Sequence, residues 1–233
     1  MWIIGDGGSP ERAPSDTLES CAIAVSEWAD GILVRVWGTV DGQLVLSPSS
    51  VLPSPNGEIE IEKTTREDLL SRPPVSPVTG QPYRLSSLEE FLVYLSLTPV
   101  RGFLEPAGQF GEKTPLAEHF WESVRSASPR LPLHLVLPPP HPVPDGISPP
   151  FVWRRTHNEW PGSDRKREQW ILDSTLFSSG NTTDLARFLV TGPISPELYM
   201  RLQSIRGFWG VVTTTPYFTR KALARATAGS GRS

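Results

Sequence analysis

The chain has 233 residues, a length that suits one domain with a full core. A net charge of −3 speaks against a nucleic-acid-binding face, which needs concentrated basic charge. The single cysteine, Cys21, excludes an internal disulfide and a cysteine-built metal site, and no apolar run reaches the roughly 18 residues of a membrane span.

The opening MWIIGDGG shows no basic region followed by a long apolar stretch, so a cytoplasmic protein without a secretory signal is expected. WIIG predicts a buried strand running into a glycine loop. A helix follows, with Asp16 or Ser15 as its cap and Leu18, Cys21, Ala22 and Val25 at helical spacing. ILVRVW and QLVLS read as a hairpin around Asp41-Gly42, a strong two-residue turn signal. Alternation puts Leu33, Arg35 and Trp37 on one face of that strand and Val34 and Val36 on the other. Thr64 or Thr65 caps a short helical turn, and Ser86 or Ser87 caps a helix whose stripe is Leu88, Phe91, Leu92 and Leu95.

VRGFLEPAG predicts a strand ending at Pro106, and PLAEHFWESVRSA a helix with Leu116, Phe120 and Val124 inward. LPLHLVL, FVWRRTH and QWILDST predict three more strands, with His134 as a packed, hydrogen-bonded residue. Seven prolines in 138–150 favour a stiff extended loop. DLARFLVTG reads as a short helix entering a strand. Ser195 caps the next helix, with Pro196 at its first position. GFWGVVTTTP is the last strand and YFTRKALARA the last helix. Strands alternate with helices in roughly eight units, which predicts a single α/β domain of the (β/α)8 barrel type over 1–225, with a flexible tail at 226–233. An open doubly wound sheet is the alternative, although no Gly-x-Gly-x-x-Gly follows the first strand.

Several motifs, in order, resemble the glycerophosphodiester phosphodiesterase family. GDGGSPERAPSDTLESCAIAVSEWADG runs beside that family's His-Arg-Gly, Ala-Pro-Glu-Asn-Thr-Leu and Gly-Ala-Asp opening. ILVRVWGTVDGQLVLSPSS runs beside its Glu-x-Asp strand, its turn and its His-Asp strand end. PNGEIEIEKTTREDLL, LSSLEEFL, GFLEP and IRGFWGVVTTTPYF are similar to its later signatures. The likeness covers about 2–108 and 205–223.

The resemblance implies an α/β barrel that hydrolyses phosphodiesters with a divalent metal such as Mg²⁺ or Ca²⁺. It also implies that this chain has lost most of the chemistry. The two acid–base histidines fall at Gly5 and Pro48, and neither residue can move a proton. The phosphate-neutralising arginine is Asp6. The Glu-x-Asp metal ligands are Leu33 and Arg35, the phosphate-binding lysine is Ala107, and the aspartate after the second histidine is Ser49. Glu105 alone keeps a ligand-type side chain, so neither a metal nor another cofactor is expected. Arg35 should instead pair with Glu105 or Asp6, its cation standing where the metal charge would be.

Three functions follow as expectations. The favoured one is an inactive family member that binds or scaffolds a protein partner. A second is an active phosphoric diester hydrolase of lipid or glycerophosphodiester metabolism with a relocated site, using Glu105, Asp173 and His157 with Arg154 nearby. A third is a sensor of a phosphorylated or polyol ligand. Other polar residues at the predicted strand ends are His141, Arg155 and Thr213, Thr214 and Thr215.

Overall fold

The apolar runs pair into one closed sheet. In the computed structural model, which describes residues 1–108, 110, 114–137, 152–156, 169–177, 187–192 and 194–229, the strands are β1 (Trp2–Asp6), β2 (Gly31–Gly38), β3 (Leu44–Leu46), β4 (Val51–Ser54), β5 (Gly57–Glu60), β6 (Arg101–Pro106), β7 (Leu133–Leu137), β8 (Val152–Thr156), β9 (Gln169–Asp173), β10 (Arg187–Thr191) and β11 (Phe208–Thr213). Eight of them run parallel in the order β1-β11-β10-β9-β8-β7-β6-β2, and β1 also pairs with β2, which closes a (β/α)8 barrel and excludes the open sheet. The third strand extends the hairpin, antiparallel to β2. A small two-stranded sheet, β4 and β5, sits in the connection that follows it.

The helices are α1 (Leu18–Ser26), α2 (Arg66–Ser71), α3 (Leu88–Ser96), α4 (Pro115–Ala127), α5 (Pro196–Gln203) and α6 (Pro216–Gly229). Side-chain caps satisfy a free N–H group at the start of α1 to α5: Thr17, Thr65, Ser87, Thr114 and Ser195 each accept a backbone hydrogen bond from the residue three positions on. The α1 cap is therefore Thr17, not Asp16 or Ser15. Asp16 has φ 59°, a left-handed conformation that Asp tolerates better than most residues, and its carboxyl is used elsewhere. The expected tail at 226–233 begins inside α6, which runs to Gly229. The proline-rich stretch 138–150, His141 included, lies outside the described residues.

Side chains alternate across the barrel wall. Val34 and Val36 face outward into the layer shared with Cys21, Phe91 and Phe120. Inward, Ile4, Leu33, Phe103, Val136, Trp153, Ile171, Leu189 and Val212 fill the barrel waist. Each such buried side chain contributes about 1.5–3 kcal/mol. The barrel is thus a packed core rather than a pore, and any chemistry must sit at its ends.

Gly5 lies on the outward face. A Cβ there would meet the Gly8 carbonyl oxygen at 2.5 Å and the Ala24 Cβ at 3.2 Å. The expectation that Gly5 marks a mouth position is therefore corrected: strand alternation aims Asp6, not Gly5, into the mouth, and the glycine lets the loop fold back onto α1.

His134 is packed as expected. Its ring stacks on Phe103 with centroids 4.6 Å apart, and Trp153 Nε1 donates to its Nδ1 at 3.2 Å. Burial, with help from the nearby Arg101 charge, pushes its pKa down to about 4. The sign follows directly. An unfolded histidine takes a proton near pH 6.5, whereas the folded one resists until about pH 4. Stability should fall as pH drops through that window, by up to about 3 kcal/mol. Urea unfolding at pH 7 and pH 4.5 checks this, and His134→Phe should flatten that part of the profile.

Candidate functional site

The C-terminal strand ends form the barrel mouth, where side chains from several strands converge. Asp6 is the last residue of β1. Arg35 from β2 lies in register beside Glu105 from β6. Arg155 reaches in from β8, sharing a strand face with the core residue Trp153.

These four side chains and Asp16 make one ionic lattice. Arg35 Nη2 donates to Asp6 at 2.7 Å, its Nη1 to Asp16 at 3.4 Å, and its Nε lies 3.7 Å from Glu105. Arg155 Nη1 donates to Glu105 at 2.6 Å, and its Nη2 to the other oxygen of Asp6 at 3.4 Å. Asp16 further accepts from the Arg35 backbone N–H at 2.7 Å and from Ser15 Oγ at 2.7 Å. Solvent reaches the lattice only partly: the Arg155 side chain is 8% exposed, Arg35 22% and Asp16 0%.

Burial pushes the Asp16 carboxyl above its usual range, against the pull of Arg35. A raised carboxyl pKa contributes stability below the unfolded value of about 3.8 and loses it as pH rises through the folded value. Burial also works against the Arg35 charge, but Asp6, Asp16 and Glu105 outweigh it and raise the pKa of the guanidinium. Arg35 is therefore a fixed cation.

The expected pairing of Arg35 with Asp6 or Glu105 is thus present with both, and two lattice members lie outside the expected pairing. Asp16 had a signal: a short acidic residue just before the helix cap can hold left-handed backbone. Arg155 had one too, since alternation places it on the face of Trp153. Leu33 belongs to the apolar waist. Pro48 and Ala107 are half-buried and Ser49 is exposed on the connection after β3. Ser49 offers the lattice no contact, because its carbonyl accepts from Ser47 Oγ and its own Oγ from Val51 N.

Of the expected relocated site away from the lattice, Arg154 and Asp173 are described. Arg154 alternates to the opposite strand face from Arg155 and is half-buried. Asp173 turns back on its own chain, accepting from Thr175 N at 2.9 Å and Thr175 Oγ1 at 2.7 Å. His157 lies outside the described residues. Beside the lattice, a cavity of about 630 Å³ is walled by Asp6, Thr191, Thr213, Thr214, Thr215 and Thr219, among others. Thr213 Oγ1 lies 3.0 Å from Thr219 Oγ1, so these hydroxyls partly satisfy one another.

A divalent ion needs several oxygens converging on it at about 2.0–2.6 Å. The mouth does not fit one. Guanidinium N–H groups engage both oxygens of Asp6 and one oxygen each of Asp16 and Glu105, and two cations stand between the carboxylates. Among the described residues, no three His, Cys, Asp or Glu side chains are grouped to hold a metal.

The closed parallel barrel, with its polar cluster at the strand C-termini, defines the class: a single (β/α)8 barrel whose mouth is bridged by ion pairs. Solved structures then show which barrels it is similar to. One is a glycerophosphodiester phosphodiesterase from Parabacteroides distasonis, at TM-score 0.69 and 15% identity, covering 97% of this chain and 98% of the other. A phosphodiesterase from Oleispira antarctica, solved with the product sn-glycerol-3-phosphate, matches at TM-score 0.68 and 18% identity over 96% and 97% of the two chains. A Thermotoga maritima glycerophosphodiester phosphodiesterase matches at 0.67 and 17%, over 95% and 97%. The chain therefore has the glycerophosphodiester phosphodiesterase fold. No protein-family model and no curated protein matches the sequence. Among the described residues, no helix is long and apolar enough to cross a membrane.

Proposed function

We propose that this chain is a divergent relative of the glycerophosphodiester phosphodiesterases that has given up catalysis and acts as a binding or scaffold protein. One observation carries the reading: two guanidinium groups interleave with the carboxylates of Asp6, Asp16 and Glu105 where strand ends converge. Such a lattice offers no free carboxylate cluster for a metal. With three carboxyl groups against two guanidinium groups, it has no spare positive charge for a phosphodiester either. The lattice holds no histidine, the side chain that most often passes a proton to a leaving alkoxide near neutral pH.

The test is turnover. Glycerophosphodiesters and bis(p-nitrophenyl) phosphate, each with Mg²⁺ or Ca²⁺, should give rates at the buffer background. Metal-dependent turnover that Glu105→Ala abolishes would overturn the reading in favour of an active hydrolase.

A further inference from the structure

The opposite end of the barrel, where the strands begin, carries aromatic and cationic groups at the edge of the waist, against which Trp2 and Trp209 pack half-buried. Trp2 of β1 and Trp209 of β11 meet edge to face, with centroids 4.8 Å apart. A guanidinium lies over each indole, Arg101 over Trp2 at 4.4 Å and Arg187 over Trp209 at 4.2 Å. Among the described residues, neither arginine has a carboxylate partner. Arg130 and Arg206, in the turns that feed β7 and β11, are exposed and make no ion pair with a described residue. The carboxylate of Asp30, before β2, is already engaged by Arg220 at 2.8 Å and by the Ile3 N–H at 2.9 Å.

A guanidinium held over an aromatic face keeps its in-plane N–H donors for a second partner. Here the donors come from turns and strands all round one end, beside an open cavity of about 490 Å³ bounded by both tryptophans. We infer that this end of the barrel is a docking surface for an acidic segment of a partner protein. Its carboxylates would pair with Arg101 and Arg187, and its apolar side chains would enter the cavity bounded by Met1, Trp2, Phe208 and Trp209. Tryptophan and arginine are the residue types that dominate protein-binding hot spots. This goes beyond the non-catalytic reading and stands whether or not the mouth turns over substrate.

The probe is a fluorescein-labelled peptide of alternating glutamate and leucine, read by anisotropy on the full chain. It should bind, weaken as salt rises, and lose about tenfold or more in affinity in the Arg101→Gln/Arg187→Gln double variant. A glutamine–leucine peptide of equal length should not bind. Because the double variant removes packing over two indoles, the wild-type chain supplies an independent reading. There the acidic peptide should slow amide exchange in the segments around Trp2 and Trp209. Equal binding of both peptides, unchanged affinity in a folded double variant, protection elsewhere, or full displacement by millimolar inorganic phosphate would each overturn the proposal.

Discussion

Arg35→Ala is expected to cost about 3 kcal/mol of folding stability, the low end for breaking a buried ion pair because solvent still reaches part of this one. Among the described residues, Arg35 alone touches all three carboxyl groups of the lattice. Its loss leaves Asp16 wholly buried with no cation beside it, and leaves Asp6 and Glu105 sharing Arg155 alone. The cost arises from those stranded charges rather than from the bonds themselves. In a chain of this size each kcal/mol moves the melting midpoint by about 2–4 °C. Urea unfolding at neutral pH would show a lower midpoint at unchanged slope. Arg35→Lys should fall between, since an ammonium keeps the charge and cannot fork between partners. A loss below about 0.5 kcal/mol for Arg35→Ala would mean that solvent screens the lattice, and the pairing would then have no structural role.

The Glu105–Arg155 pair should show strong coupling. Either Glu105→Leu or Arg155→Met leaves a mostly buried partner short of its charge, at a cost of about 2–3 kcal/mol each. Making both changes puts two apolar side chains above the apolar waist, next to Trp153 and Phe103. The double variant should recover much of the loss, with a coupling of about 1.5 kcal/mol or more. Simple additivity of the two single costs would show that the pair acts as two independent surface charges. The cycle also bears on why the lattice exists: a pair that can be exchanged for apolar residues at little cost fills the space over the core more than it stabilises the fold.

Much of the barrel was legible along the chain because its signals are local. The caps Thr65, Ser87 and Ser195 and the period-two strands depend on a few neighbouring residues, and the structure repeats them; the hairpin turns at Asp41-Gly42 but through a longer link, residues 39–43, than the two-residue turn expected. Alternation put Arg35 on one face with Leu33 and Trp37, and the family resemblance turned that face toward the mouth. Gly5 shows the limit of that approach. Motif resemblance placed a mouth residue there, and the pleat of β1 turns it outward, so that Asp6 carries the position.

Strand pattern and turn chemistry, then, were enough for alternating strands and helices in roughly eight units, the family resemblance set Arg35 at a metal-ligand position, and the β1–β2 pairing decided the barrel over the open sheet. The partners of that cation needed closure of the sheet. Arg155 and Asp6 are 149 residues apart and on strands that do not pair, yet inward side chains of a closed barrel meet near its axis. Asp16 needed the fold-back of the glycine loop, which buries its carboxyl under Arg35. Neither contact has a sequence spacing, because both arise from where the sheet closes rather than from any local repeat.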